Sequence, residues 1–227
     1  MNTFTFIKKR NNKIENKTHL VYFVHVPRTG GTAIVMNLLK NAVKKDKGTV
    51  QNMLLKRKDG NLIRLLHIGH QISTMCPKEA FKFAFIRDPL KRFLSAFAYV
   101  KEGGKNNPVR PDAEVWGMKQ FKKYNIMTPS DLINAPEWIR TKLFELEHFK
   151  PLTNYICDKE GNITVDFIGD TDNMQHDINK LYKILGLKEI KIKKENQSTG
   201  KFILTKTDNN FLKEHYKRDI DIYKSIY

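Results

Sequence analysis

The chain has 227 residues, with 41 Lys and Arg against 24 Asp and Glu, which gives a formal net charge of +17. Hydrophobic residues make up 40% of it, enough to bury a core, so the composition excludes a wholly disordered chain. No apolar run is as long as the roughly 18 residues that a membrane span needs, and the first residues lack the apolar core of a secretory signal. With only Cys76 and Cys157, a disulfide framework is also excluded, and we expect a protein of the reducing cytoplasm.

The positive charge predicts attraction to anions without identifying the anion. Lys predominates over Arg and is spread along the chain, so a compositional origin of the charge stays as open as a functional one. We expect no nucleic-acid partner, because the chain has no RNP-type, zinc-finger or basic-zipper pattern. The run at residues 188–194 alternates Lys with Ile, which favours a strand or sheet edge with one solvated face.

The first part of the chain predicts strands that alternate with helices. Residues 1–18 are polar and basic, which indicates a flexible leader before a single domain at residues 19–227. Residues 19–26 form a nearly continuous β-branched and aromatic run, typical of a strand buried on both faces in a parallel sheet. The other elements predicted here are a helix at residues 32–40 and strands at residues 62–66 and 83–86.

The second part predicts mainly helices. Asp88 and Pro89 have the residue types of an N-cap and a first helical position, so a helix is expected from Pro89, and residues 102–111 indicate a surface loop. Residues 154–168 are expected to form a hairpin that returns to the sheet. Residues 172–175 resemble a capping box, opening a helix that ends at Gly186. Further helices are predicted around residues 115–123, 130–134, 136–149 and 208–227. Together these elements predict a three-layer α/β fold with a central parallel sheet flanked by helices.

The segment between the first strand and its helix has the composition of an anion-binding loop. Such a loop can direct several free backbone N–H groups and the positive end of the helix dipole at one anion. Two glycines allow close approach, two threonines supply hydroxyl donors and one arginine supplies a positive charge. These residues are Arg28, Thr29, Gly30, Gly31 and Thr32. An ordinary turn that merely uses glycines is the alternative. The pattern G-x-x-x-x-G-K-[ST] is absent, so a nucleotide-dependent kinase of the P-loop type loses its main support.

A second basic turn follows the strand at residues 83–86. Arg87 would project from the carboxyl edge of that strand, where open α/β sheets bind ligands, and Ser95 would join it on a second anion. The alternative is that Arg87 pairs locally with Asp88. Two anion sites at neighbouring strand ends suggest a ligand with phosphates at two places, such as a nucleotide with 5′ and 3′ groups.

These two motifs resemble those of a known family. His25-Val-Pro-Arg-Thr-Gly-Gly-Thr32 is similar to the 5′-phosphosulfate loop of carbohydrate sulfotransferases, and Ile86-Arg-Asp-Pro-Leu-Lys-Arg-Phe-Leu-Ser95 is similar to their 3′-phosphate motif. The resemblance extends over roughly residues 19–227 and is strongest to the heparan sulfate 2-O and 6-O type enzymes. It implies a P-loop-like fold and transfer of a sulfuryl group from 3′-phosphoadenosine 5′-phosphosulfate (PAPS) to a sugar hydroxyl without a metal.

The resemblance also implies a role for each matching residue. The residues from Arg28 to Ala33 would hold the 5′-phosphosulfate, and Arg87 with Ser95 would hold the 3′-phosphate. Ser198 and Lys201 would close over the adenosine end. Arg28 stands where the family usually has Lys, and its pKa above about 12 makes it a very poor proton donor. Its part in catalysis would therefore be electrostatic stabilisation of the leaving phosphate.

Sulfuryl transfer also needs a group that takes the proton of the acceptor hydroxyl, and histidine suits this near neutral pH. His70, in His67-Ile-Gly-His70, aligns with the base of the 2-O type enzymes and is the predicted base. His67 would assist at the acceptor or merely pack, and His25 is expected to be buried at the end of its strand. The other histidines on predicted helices carry no predicted role; they are His148, His176 and His215.

The acceptor would lie near the predicted loop at residues 102–111. There Lys101, Lys105 and Arg110 would suit an anionic sugar chain. We therefore expect a carbohydrate or another hydroxyl-bearing acceptor, including an anionic glycan. The alternatives are a nucleotide-dependent kinase and a non-enzymatic polyanion-binding protein, which would explain the charge but neither the glycine loop nor His70.

Overall fold

The computed structural model describes residues 20–45, 52–67, 72–104, 115–192 and 202–227. The predicted leader at residues 1–18 and most of the predicted loop at residues 102–111 lie outside this part of the chain, so both stay predictions. Among the described residues, no helix combines the length and the apolarity needed to cross a membrane.

The described strands form one six-stranded sheet in the order β2-β3-β4-β1-β5-β6. They are β1 (Leu20–Val24), β2 (Ala42–Lys45), β3 (Asn52–Lys56), β4 (Leu62–Leu66), β5 (Phe81–Ile86) and β6 (Phe167–Asp170). Strands β4, β1, β5 and β6 are parallel neighbours, whereas the pairs β2–β3 and β3–β4 are antiparallel. As its apolar run predicts, β1 lies between two parallel partners.

The helices of the described residues lie between and after these strands. They are α1 (Gly31–Leu38), α2 (Pro89–Lys101), α3 (Val115–Lys123), α4 (Pro129–Ile133), α5 (Glu137–Phe144), α6 (Thr153–Ile156), α7 (Met174–Leu185), α8 (Lys206–His215) and α9 (Lys217–Ile226). The predicted start of α2 is confirmed, because the Asp88 carboxylate accepts the Lys91 N–H at 2.8 Å and Pro89 is the first helical residue. The predicted α/β class, with a mostly parallel central sheet flanked by helices, is also confirmed.

The chain divides into two compact units. The sheet unit comprises Met1–Arg87, Leu152–Glu195 and Lys224–Tyr227, and the helical unit comprises Asp88–Pro151 and Asn196–Tyr223. In the sheet unit, α1 and α7 pack on one face of the sheet, so that residues such as Phe23, Ile34 and Leu181 share one buried cluster. Each fully buried apolar side chain of this size stabilises the fold by about 1.5–3 kcal/mol relative to exposure.

The helical unit has a core of its own that is rich in phenylalanine. Phe93 and Phe97 on α2 pack with Phe121 of α3 in one buried cluster. Arg92, on the same helix, is fully buried, and its guanidinium donates hydrogen bonds to the carbonyl oxygens of His148 and Lys150. The buried guanidinium therefore satisfies its hydrogen-bonding needs with two backbone carbonyls, which makes Arg92 a structural residue of this unit.

The predicted hairpin at residues 154–168 is wrong: its first strand is the helix α6, and of its second strand only Phe167 and Ile168 belong to a strand, β6. Leu152, Tyr155 and Ile156 are all fully buried, and this spacing of three and four residues favours the short helix α6 over a strand. The turn itself is present, because the Asp158 carboxylate accepts the Asn162 N–H at 2.7 Å. A single β-bridge forms beside the turn, between Cys157 and Ile163, and β6 pairs in parallel with β5.

The predictions for α7 and for the residues after it also differ from the structure. No capping box opens α7, whose N-cap Asn173 makes no side-chain cap hydrogen bond, although the predicted end at Gly186 is confirmed with φ 67°. The Gln175 side chain donates to the Ile190 carbonyl at 3.0 Å and accepts the Ile192 N–H at 2.9 Å. Residues 188–192, the described part of the run for which a strand or sheet edge is predicted, belong to no strand.

The predicted last helix is two helices. The break falls at Tyr216, where the backbone leaves helical geometry with φ −104° and ψ 22°. The Tyr216 hydroxyl donates to the Phe149 carbonyl at 2.6 Å, and the side chain is buried. This long-range contact fixes the end of α8 and is not visible in the helical pattern of the sequence.

Candidate functional site

Polar residues follow the carboxyl ends of four adjacent parallel strands. His67 follows β4, His25 follows β1, Arg87 follows β5, and Thr171 with Asp172 follows β6. All of them belong to the sheet unit. Because parallel strands end at one edge of a sheet, these side chains share the edge at which α/β proteins bind ligands.

The loop between β1 and α1 presents the backbone of a helix N-terminus. Gly30 is the N-cap and has a left-handed conformation, φ 77° and ψ 18°, and the first turn of α1 carries no acidic side chain. The first N–H groups of a helix have no partner within it, and the helix dipole makes this end positive. The N–H groups from Gly31 to Ala33 are therefore disposed to receive an anion.

Two side chains of this loop have defined surroundings. Thr29 is fully buried, and its hydroxyl donates to the Val26 carbonyl at 2.8 Å, so this hydroxyl closes the loop. The Thr29 contribution to an anion would come from its backbone rather than from the hydroxyl donor predicted from sequence. Arg28 adopts φ 68°, a left-handed conformation that costs a non-glycine residue energy and that the loop geometry imposes.

Neither glycine of the loop has room for a side chain. A Cβ at Gly30 would overlap the terminal methyl group of Met174, and one at Gly31 would overlap the imidazole of His25. The Gly30 conformation is also one that side chains rarely adopt. Gly30 is therefore required by its backbone conformation, and Gly31 by its close contact with the His25 ring.

One hydroxyl joins this loop to the turn after β5. The Thr171 Oγ1 atom lies 2.9 Å from the carbonyl oxygen of Thr29 and 2.9 Å from that of Ile86. The Thr171 N–H donates to the same Ile86 carbonyl at 2.9 Å. Since Gly30 and Arg87 directly follow these two carbonyls, the glycine loop and the basic turn start from neighbouring points of the sheet edge.

Arg87 is only weakly engaged by its neighbours. Its Nε atom lies 3.9 Å from the Asp172 carboxylate and makes no hydrogen bond to any described residue. The Arg87 side chain is 29% exposed. A partly exposed ion pair at this distance contributes about 0–1 kcal/mol, so an anionic ligand can replace Asp172 on this guanidinium.

His25 and His67 form an imidazole pair beside the glycine loop. His25 Nδ1 lies 3.0 Å from His67 Nε2, and the His25 ring stacks on Phe23 with a centroid distance of 5.3 Å and an interplanar angle of 15°. His25 is half-buried, where sequence predicted burial. Burial lowers the pKa of His67 from 6.5 to about 4, so His67 is neutral at physiological pH.

This lowered pKa predicts acid-sensitive stability. A histidine whose pKa falls on folding binds fewer protons when folded, so its contribution is complete above pH 6.5 and is lost as the pH falls towards 4. We expect His67 to lower the free energy of unfolding by about 2–3 kcal/mol over that window. Urea unfolding near pH 7 and pH 4.5 should therefore show a smaller acid loss in His67→Gln than in the parent chain. The exposed His176→Gln serves as the control, and an equal acid loss in all three proteins would contradict the assignment.

The other predicted site residues belong to the helical unit or fall outside the described part of the chain. Ser95 is buried on α2 in the helical unit. Lys101 ends α2, donates to the Met127 carbonyl at 2.6 Å and lies 5.2 Å from the centre of the Phe202 ring. The predicted residues outside the described part of the chain are His70, Lys105, Arg110, Ser198 and Lys201.

Sequence reasoning missed the two residues after β6. Thr171 appears in the sequence only as a polar residue before a predicted helix, and Asp172 only as the first residue of the predicted capping box. Their contacts with Thr29, Ile86 and Arg87 join distant segments. Their position directly after a buried strand was the one available signal, because such positions line the ligand edge of a parallel sheet.

Comparison with known proteins identifies a family match. A family model described as "Sulfotransferase family" matches residues 12–225, almost the whole chain. A search of curated proteins found no match.

Proposed function

Because the chain belongs to the sulfotransferase family, we propose that it transfers the sulfuryl group of PAPS to a hydroxyl group of a carbohydrate-type acceptor. Sulfuryl transfer follows from the family; the donor, the acceptor and the residues in their roles are our proposal. The observation that carries it is the Thr171 hydroxyl, which holds the glycine loop and the Arg87 turn at neighbouring points. A donor with phosphates at both its 5′ and 3′ positions matches two adjacent anion-binding elements.

The residues at the sheet edge fit such a donor. Gly30 and Gly31 place no side chain at the start of α1, where the first N–H groups of the helix are suited to a phosphate group. Arg87 supplies a guanidinium with an Nε that makes no hydrogen bond to any described residue. The 5′-phosphosulfate would lie on the loop from Arg28 to Ala33, and the 3′-phosphate on Arg87 with Ser95.

In this proposal, each protein group has one chemical task. PAPS supplies an activated sulfuryl group with a phosphate as its leaving group. Arg28 and the N–H groups of α1 stabilise the negative charge that grows on the leaving phosphate, and Arg28 does so as a charge, since it stays protonated. His70 accepts the proton of the acceptor hydroxyl as that oxygen attacks sulfur in line with the leaving group.

The acceptor class rests on the resemblance to heparan sulfate 2-O and 6-O type enzymes and on the basic residues near the end of α2. Ser198 and Lys201 would close over the adenosine end, and Arg110 with Lys101 would face an anionic sugar chain. Incubation with radiolabelled PAPS and a panel of glycans, from heparan sulfate and chondroitin to neutral chains, identifies the acceptor. Label transfer to a peptide or a small phenol but to no glycan would overturn the carbohydrate assignment.

Nucleotide preference separates this proposal from a kinase and from a polyanion-binding protein. We expect 3′-phosphoadenosine 5′-phosphate (PAP), the product of the donor, to raise the melting temperature more than equal concentrations of ATP or heparin. A ligand at about 100 times its Kd stabilises the folded state by about 2.7 kcal/mol, which a thermal shift detects readily. A larger shift with ATP would favour a kinase, and a shift with heparin alone would favour polyanion binding; either result would refute the proposal.

A further inference from the structure

We propose that Thr171 is a positioning residue that sets the spacing between the two phosphate sites, so that the protein selects nucleotides phosphorylated at both the 5′ and the 3′ position. The inference rests on the proposed function, because it takes the glycine loop and Arg87 as the two phosphate sites. Thr171 touches neither phosphate in this proposal. It acts through its hydrogen bonds to the backbone of Thr29 and Ile86.

The two donors of Thr171 serve two different carbonyls. Its N–H donates to the Ile86 carbonyl at 2.9 Å, next to the parallel pairing of β5 with β6. Its hydroxyl has one hydrogen to donate and lies 2.9 Å from the carbonyls of both Ile86 and Thr29. Thr29 is fully buried, and buried carbonyls are nearly always hydrogen-bonded. Because the Ile86 carbonyl already receives the N–H, the hydroxyl hydrogen belongs to the Thr29 carbonyl.

This arrangement ties both phosphate elements to a single residue. The backbone of Thr171 is bonded to the last residue of β5, and its side chain is bonded to the glycine loop. Gly30 directly follows the Thr29 carbonyl and Arg87 directly follows the Ile86 carbonyl. The glycine loop therefore cannot move away from the Arg87 turn unless the hydroxyl bond of Thr171 breaks.

The methyl group of Thr171 packs at the same loop. It lies 3.6 Å from the point where a Cβ on Gly30 would stand, and the terminal methyl group of Met174 reaches that same point. Gly30 is the N-cap of α1, so this packing lies at the start of the helix whose N–H groups would take the 5′ end. Serine at position 171 would keep the hydroxyl, whereas valine would keep only the shape.

A fixed spacing matters only to a ligand that uses both sites. Once one phosphate of PAP is bound, the other binds as an intramolecular event, and its effective concentration depends on whether the second site lies within reach. Sites that are already held in place lose less freedom on binding. A nucleotide with one phosphate uses one site and gains nothing from the spacing. Thr171 should therefore affect the affinity for PAP and not that for mononucleotides.

Calorimetry with three nucleotides tests this selectivity. Thr171→Val should weaken PAP binding about tenfold or more, and adenosine 5′-phosphate and adenosine 3′-phosphate should each stay within about threefold. Thr171→Ser should keep all three affinities within about threefold of the parent chain, because its hydroxyl can still donate to Thr29. Thr141→Val, at an exposed position of α5, is the matched control. Unchanged PAP affinity in Thr171→Val, or an equal loss for all three nucleotides, would overturn the inference.

A double-mutant cycle tests whether Thr171 acts through the second site. In an Arg87→Ala background, Thr171→Val should change PAP affinity by less than about threefold, because the contact that needs the spacing is already gone. A loss as large as in the parent background would show that Thr171 acts independently of Arg87 and would overturn the spacing role.

The parent chain itself supplies a test that needs no folded variant. It should bind PAP at least about tenfold more tightly than adenosine 2′,5′-bisphosphate, whose two phosphates have a different separation. Equal affinities would overturn a fixed spacing. If PAP binds as proposed but its affinity ignores Thr171, only this inference fails; if PAP does not bind, the proposed function fails and the inference with it.

Discussion

Arg87→Ala is expected to weaken PAP binding about 10-fold to 150-fold while leaving the affinity for adenosine 5′-phosphate within about twofold. Arg87 directly follows β5. Its Nε atom makes no hydrogen bond to any described residue and lies 3.9 Å from the Asp172 carboxylate. A charge-assisted hydrogen bond to a phosphate contributes about 1.5–3 kcal/mol. Adenosine 5′-phosphate has no 3′-phosphate, so its affinity should not depend on Arg87.

Isothermal titration calorimetry of both nucleotides makes this comparison. Arg64→Ala, which removes an exposed arginine of β4 in the same unit, is the matched control for net charge. Equal loss of affinity for the two nucleotides would assign Arg87 to the 5′ end or to the fold. Unchanged affinity for PAP would remove Arg87 from the nucleotide site.

His70→Ala is expected to lower turnover about 100-fold or more and to leave PAP affinity within about twofold. General base catalysis by a positioned side chain contributes typically about 10²–10⁴-fold to a rate. His70 is the proposed proton acceptor for the sugar hydroxyl and has no assigned contact with the nucleotide. The loss should therefore appear in kcat with labelled PAPS, whereas calorimetry with PAP should detect little change.

The exposed His176→Ala, on α7, controls for the loss of any histidine. A base also leaves a pH signature, because the parent chain should lose activity as the base becomes protonated at low pH, and His70→Ala should lose this dependence. Normal turnover in His70→Ala would exclude it as the base. Loss of PAP affinity equal to the loss of turnover would indicate a binding or structural role.

Local sequence patterns correctly predicted the elements that are marked by residues close together in the chain. The apolar run of β1, the Asp88 and Pro89 start of α2 and the Gly186 end of α7 are all found in the structure. Strands β2 and β3 went unpredicted, because both are short and β3 has three apolar residues in a row, so its sequence lacks the alternation that its burial shows. The residues of α6 would suit a strand equally well by composition, and only their packing in the fold shows that they form a helix.

The site was predictable in composition and not in its connections. The glycine loop and Arg87 each carry a local signature of anion binding, since both follow a buried strand. The Thr171 hydroxyl that joins them and the His25 imidazole that covers Gly31 are contacts between distant segments. The sequence shows which residues carry charge or lack a side chain, and only the fold shows which of them meet.

A crystal structure of the protein with PAP tests the central claim most directly. The account predicts the 5′-phosphate on the backbone N–H groups of Gly31 to Ala33 and the 3′-phosphate on the Arg87 guanidinium of the same molecule. A nucleotide that placed neither phosphate on Arg87, or bound away from the carboxyl ends of β1 and β5, would contradict it.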